Sequence, residues 1–395
     1  MASAVSTPSI SAGWSFTPVA QQRVEFDTNP LLVPRSSNFY VNDTANLATN
    51  LVGKLDHHDE QLDLTASPRL LFQYYPDTTF LDQNNQYLDL AANYKLERTS
   101  WAGTAKLARD TTLTSELGTT GLTIGNRRHE NATLALGPTY QVTERFSLSA
   151  QGGYERNRYE NEAGTGLIDY TYYSGDAKAS YLASARTQLN LDVAVNRLHV
   201  AALGFGTTSY IVVAGLTSAL NERWSATVSA GPSFVKSSRG TDNGFTALVE
   251  AKRTGELLNL DARVSRDLTP TGRGVLTTRD QALLSLYRPI SERLISSISL
   301  LYQRTRDLTT NPFGANDYIL IYCGTAASCN LPSFAPYTVH YYSAEANLRW
   351  QFSPQWELSP FARYEEQDIY AASTRAHGYR VGLTLSWNGR PYGFW

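Results

Sequence analysis

The sequence predicts an all-β fold: a transmembrane antiparallel up-and-down barrel of about 18 strands, with 16 as the alternative count. Three observations predict it. Apolar and polar residues alternate at period two over long runs. Connections between those runs are short and long in turn. Aromatic residues recur at a fixed distance beyond the short turns.

The alternation is clearest in the last run. Tyr379, Val381, Leu383, Leu385 and Trp387 alternate with Arg380, Gly382, Thr384, Ser386 and Asn388. Side chains on a strand point to opposite faces in turn, so one face is apolar and the other polar. Leu88 to Leu96, Leu189 to Val195, Leu258 to Val264 and Tyr342 to Trp350 repeat the pattern. The runs reach about 9–14 residues. A tilted strand needs ~9–11 residues to cross a bilayer, whereas strands of soluble sandwiches average ~5–6. A soluble all-β domain is the weaker alternative.

Short polar turns include Glu97-Arg98-Thr99, Thr143-Glu144-Arg145, Asn221-Glu222-Arg223 and Ser291-Glu292-Arg293. Long connections, such as 111–127 and 307–337, fall between them. Short turns at one rim and long loops at the other are expected of outer-membrane barrels, whose short turns are periplasmic and long loops extracellular. Trp101, Phe146, Trp224 and Trp356 follow short turns, and Tyr154, Phe234 and Tyr364 come eight to ten residues later on the same face. That offset spans roughly 20–25 Å of tilted strand and predicts two aromatic girdles flanking an apolar band.

Three regions follow: an N-terminal periplasmic segment over 1–17, the barrel over 18–388 and a tail over 389–395. Gly389 and Pro391 argue against a strand continuing unbroken through the tail. Ala2-Ser3-Ala4 is similar to the end of a signal-peptide cleavage site, so the chain reads as mature, with its apolar leader removed. The localisation expected is the bacterial outer membrane.

Composition narrows the function. No apolar stretch approaches the ~20 residues of a membrane helix. A formal net charge of −2 gives no basic stripe, so no nucleic-acid partner is expected. The six histidines, His57, His58, His129, His199, His340 and His377, are scattered, and no motif for a nucleophile, metal or cofactor is present. No enzymatic activity is predicted. Cys323 and Cys329 lie close together in the longest connection and are expected to form a disulfide.

Short motifs carry a family resemblance. Val24-Glu25-Phe26-Asp27-Thr28-Asn29-Pro30-Leu31 resembles the opening "strand, then D-x-N" of β-barrel porins associated with exopolysaccharide gene clusters. Ser67-Pro68-Arg69-Leu70, the run Arg109 to Leu117 and the Thr143-Glu144-Arg145 turn are similar to that family too. The resemblance covers most of the chain. It implies an outer-membrane barrel that passes or secretes polysaccharide, and brings no catalytic residues.

The polar face is assigned to the lumen, with Arg69, Tyr87, Asp89, Lys95, Asp176, Lys178, Asp192, Asp261, Arg263, Tyr341, Glu345, Arg349, Arg363 and Arg380 as candidate lining residues. Signs are interspersed, which suits a neutral or weakly charged saccharide better than an acidic polymer. Tyr75, Tyr87, Tyr172, Tyr287 and Tyr341 are candidate stacking surfaces for sugar rings. The competing readings are structural charge ladders around a general diffusion porin for small hydrophilic solutes, and a barrel that scaffolds a partner. Expected partners are outer-membrane lipid, the outer-membrane assembly machinery during folding, polysaccharide and periplasmic export components. The 307–337 connection is the expected plug.

Overall fold

The computed structural model describes residues 13–35, 37, 40–120, 126–160, 167–238, 240–308, 338–369 and 374–394. The strands of the first half are β1 (Gly13–Asp27), β2 (Thr44–His58), β3 (Leu62–Tyr74), β4 (Gln83–Lys95), β5 (Thr99–Thr111), β6 (Arg128–Gln141), β7 (Phe146–Tyr159), β8 (Tyr170–Ser184) and β9 (Thr187–Val200). Those of the second are β10 (Phe205–Ala219), β11 (Trp224–Ser237), β12 (Gly240–Arg253), β13 (Asn259–Pro270), β14 (Leu276–Ser291), β15 (Leu294–Asp307), β16 (Thr338–Gln351), β17 (Trp356–Ile369) and β18 (Thr374–Asn388). A short helix, α1 (Thr112–Thr120), follows β5, and a three-residue strand, β19 (Tyr392–Phe394), ends the described chain.

Each long strand pairs antiparallel with its neighbours in sequence, and β1 pairs with β18 from Val19↔Asn388 to Asp27↔Arg380. The sheet is therefore a closed barrel of 18 long strands, which leaves no unpaired edge. The poorly patterned first and tenth strands are both present, which excludes the count of 16.

Two boundaries move. β1 begins at Gly13, because Trp14 to Phe16 pair with β2 on one side and β19 on the other, so residues 13–17 belong to the barrel rather than to a periplasmic segment. The tail also rejoins the sheet. Gly389-Arg390-Pro391 does interrupt β18, but Tyr392, Gly393 and Phe394 resume pairing with Phe16, Ser15 and Trp14. The interruption is local because the β1 edge continues past it and offers further backbone partners.

Among the prolines inside strands, Pro68, Pro138, Pro232 and Pro360 share one setting. Each sits where one ladder skips two residue pairs, as between Leu136↔Gly152 and Thr139↔Ser149 or between Ile211↔Ser233 and Ala214↔Ala230. Proline has no N–H to donate, so the ladder loosens on that side and holds on the other. In β11 a glycine precedes the proline. A Cβ on Gly231 would stand 1.7 Å from the Val212 carbonyl oxygen, so only glycine lets β10 pass there.

Candidate functional site: a lumen filled from the extracellular side

The two faces of the wall are distinct. Leu107, Leu134 and Val264 are more than half exposed on one face, whereas Asn46, Asn85, Ser209 and Gln303 on the other are at most 1 % exposed. A closed ring with an apolar outside and a polar inside has lipid as its outer solvent. The predicted girdle residues fall on the outward face. Trp101, Phe146, Trp224 and Trp356 stand at the short-turn rim, with Phe146 in register with Tyr181 and Trp356 with Trp387. Tyr154, Phe234 and Tyr364 stand toward the long-loop rim, in register with Tyr173, Tyr210 and Tyr379. Tyr154–Tyr173 and Tyr364–Tyr379 are ring contacts at 5.6 and 5.0 Å between centroids.

The predicted lumen residues alternate with the outward apolar side chains, and most are occupied by wall contacts. Lys95 Nζ stands 2.5 Å from Asp63, and Lys178 Nζ 3.9 Å from Asp192. Asp261 lies 3.9 Å from Lys252, which also pairs with Glu250. Asp176 lies beside Lys178 on β8, and Asp89 is in register with Lys106. Arg263 is exposed and in register with Glu250. Partly exposed pairs of this kind contribute ~0–1 kcal/mol each.

The tyrosines are used in the same way. Arg69 covers the ring of Tyr87 at 3.9 Å, and Arg349 donates to Tyr287 Oη at 2.8 Å while pairing with Glu357 at 3.5 Å. Tyr341 is buried and donates to Glu365 at 2.6 Å, and Tyr75 is buried in an apolar cluster. These rings do not offer the free faces that stacking on sugars requires, which corrects the expectation for Tyr75, Tyr87, Tyr287 and Tyr341.

One part of the wall brings predicted residues together. Arg363 reaches Glu365 at 2.9 Å, Tyr341 Oη at 3.3 Å and Glu345 at 3.9 Å. Arg380 reaches Asp27 at 2.9 Å and Glu365 at 3.4 Å. Beyond Asp27, Arg23 pairs with Glu25 at 3.1 Å, and Asn46 donates to Glu25 at 2.8 Å. Sequence reasoning found Arg363 and Arg380 and missed Arg23, Glu25, Asp27 and Asn46; Glu25 and Asp27 lay in a segment that carried only a family resemblance.

That segment has a physical role. Asn29 N–H donates to Asp27 Oδ1 at 3.0 Å, and Asn29 Nδ2 donates to the carbonyls of Val33 at 2.8 Å and His377 at 3.1 Å. The loop after β1 is thereby tied to β18, and its Leu31 and Leu32 are buried.

α1 meets this loop inside the barrel. Leu117 packs with Leu32, Tyr341 and Ala376, and Leu113 with the Leu31–Val41–Tyr75–Leu81 cluster. One residue from Leu117, Glu116 accepts from Tyr159 Oη at 2.6 Å, a hydroxyl on β7, and from the Gly272 N–H of the β13–β14 turn. A third cluster joins Tyr159, Leu167, Ile168, Val200, Val235 and Val275. Gly274, at φ 69°, gives that turn a left-handed bend in which a Cβ would lie 3.1 Å from Val200. Segments from the loops after β1, β5, β7 and β13 thus converge inside the long-loop end. Residues 309–337 of the expected 307–337 plug, with both cysteines of the expected Cys323–Cys329 disulfide, lie outside the described residues.

Among the described residues, His57, His58 and His129 sit in pairwise contacts with carboxylates and amides. His129 is held by Asp110 at 2.9 Å, but its other nitrogen faces Asn157 at 2.8 Å, where no hydroxyl or thiol stands. His57 and His58 end β2, paired with Asp59 and Asp63. No group of three or more metal-binding side chains occurs among the described residues.

A closed, lipid-faced barrel with asymmetric rims defines an outer-membrane β-barrel protein, and this chain is one, with outer-membrane lipid around its apolar band. No protein-family model matches the sequence, and no curated protein matches it. Similar solved structures include Pseudomonas aeruginosa OccK2 in complex with glucuronate, at 10 % identity and TM-score 0.49 over 94 % of this chain and 98 % of that one. Others are the outer-membrane protein OpdK of the same species, at 11 % and 0.47 over 96 % and 99 %, and its siderophore receptor PirA, at 11 % and 0.43 over 94 % and 80 %.

Proposed function

We propose that the barrel is a constricted channel for small, neutral or zwitterionic hydrophilic solutes. The observation that carries this reading is α1, whose Leu117 packs against β16 and β18 while Glu116 bonds to β7. Barrels of this strand number enclose an aqueous channel, and segments folded into the mouth reduce it to a selective passage. The charges around it come in opposed pairs, so no single-sign field favours an anion or a cation.

Polysaccharide passage, implied by the family resemblance, is the second reading. The occupied tyrosines and the filled mouth count against a polymer. A small saccharide remains within the proposed solute class.

Planar-bilayer conductance, with liposome swelling in sugars of increasing size, tests the proposal. Wild-type protein should conduct and admit monosaccharides while excluding long glucan oligomers. Leu117→Asn should raise conductance and the size limit, because it removes an apolar contact worth roughly 1.5–3 kcal/mol. Passage of long oligomers by the wild type, or silence of both proteins, would overturn the proposal.

A further inference from the structure

We infer that the outer surface of β5–β7 binds a phosphorylated glycolipid of the outer leaflet. Above the Tyr154–Tyr173 pair the outward face changes character. The next row holds Leu88, Leu107, Ala132 and Arg156 in cross-strand register, and the row above it Gln86, Arg109, Glu130 and Arg158. These rows line one cleft of about 500 Å³.

Its lower wall is apolar and continuous with the lipid-facing band. Ala132 is the small member of its row and leaves room for an acyl chain beside Leu107. Arg156 ends the lower row and the upper row holds Arg109 and Arg158, which makes three guanidinium groups beside the Glu130 carboxylate. Arg109 is held loosely by Glu130 at 3.6 Å, whereas exposed Arg156 and Arg158 have no hydrogen-bond or ion-pair partner among the described residues.

Two other outward arginines at this rim are paired, and their forks are therefore spent. Arg266 is bidentate to Asp280 at 2.5 and 2.9 Å, and Arg375 contacts Glu366 at 2.7 Å. An unpaired arginine beside lipid is costly near mid-bilayer, at ~2–4 kcal/mol, and nearly free at the interface. Arg156 and Arg158 stand one and two rows above the aromatic level, where headgroup phosphates lie. Guanidinium forks match phosphate oxygens geometrically as well as in charge. An apolar floor beneath them selects an anion that carries acyl chains.

Native mass spectrometry of the full barrel in detergent, titrated with a bis-phosphorylated glycolipid and its dephosphorylated form, tests this. Wild-type protein should retain the phosphorylated form at least about tenfold more tightly, ~1.4 kcal/mol. Arg156→Gln with Arg158→Gln should abolish that preference, and lumen-side Arg263→Gln should preserve it. Glu130→Gln removes the opposing carboxylate and should tighten binding. Equal retention of both lipids by the wild type, an unchanged preference in the double variant, or inorganic phosphate binding as tightly as the glycolipid would overturn the assignment.

Discussion

Arg380 and Asp27 are register partners across the seam where β18 meets β1, and their side chains form an ion pair at 2.9 Å. The contact closing the barrel is therefore electrostatic on the lumen side and apolar on the lipid side, where Phe26 lies beside Val381. Arg380 also holds Glu365, so its loss leaves two largely buried carboxylates facing each other. Removing one partner of a buried pair costs about 3–5 kcal/mol, and water in the lumen should place Arg380→Ala at the lower end. The temperature at which the folded barrel unfolds on a detergent gel should fall. Adding Asp27→Asn and Glu365→Gln should recover most of the loss, because the uncompensated charges go with them.

Glu116 should make the constriction sensitive to pH. Burial raises its pKa above the ordinary 4.5, outweighing the Tyr159 hydroxyl, His129 and the Gly272 N–H, which favour the charged form, while Glu155 adds to the rise. A carboxyl whose folded pKa is raised stays protonated where the undocked group has ionised. Its contribution to docking is complete below about 4.5 and is lost as pH rises through the higher, docked value. Conductance should accordingly be lowest in acid and rise with pH. Glu116→Gln, always neutral, should stay low across that range; the same pH response in this variant would discount Glu116 as the titrating group.

β13 and β14 show how one hairpin keeps its register. Arg266 opposes Asp280 on the outside, and Asp267 opposes Arg279 on the inside at 2.9 Å, so the order of charges reverses between the faces. A slip by one residue would set Arg266 opposite Arg279 or Asp267 opposite Asp280. Arg266→Asp should lower the yield of folded barrel, and Asp280→Arg in the same chain should restore it. A double-mutant cycle should give a coupling near 1 kcal/mol, typical of partly exposed pairs.

Much of this architecture was legible in the sequence because lipid and lumen impose opposite demands on alternate residues. Val381 and Arg380 cannot exchange faces without placing charge in lipid, so the alternation reports strand, register and orientation together. The outward placing of Trp224 and Phe234 was legible for the same reason, since they lie an even number of positions apart on one strand. The filled mouth was not. Leu113 and Leu117 are ordinary helix-face leucines in sequence, and their partners Leu32, Leu81 and Tyr341 are distant in the chain. Nor could spacing distinguish a free lumen tyrosine from Tyr87 beneath Arg69, because both alternate alike.

Gly231 supplies the most local of the predictions. Its neighbour Pro232 donates no hydrogen bond, and the β10–β11 ladder has no paired residues between Ile211↔Ser233 and Ala214↔Ala230. The strands nevertheless come close enough that an added Cβ would lie 1.7 Å from the Val212 carbonyl oxygen and 2.8 Å from the Val213 Cα. Backbone atoms cannot move aside as a side-chain tip can, so Gly231→Ala must push two strands apart within a closed ring. Overpacking of this kind costs about 1–3 kcal/mol, and closure transmits the strain to both neighbours. Gly152 has nothing within 4 Å of the same added atom, so Gly152→Ala should be nearly neutral. Measured side by side as unfolding temperature and yield of folded barrel, the two substitutions should separate clearly, with only Gly231→Ala impaired.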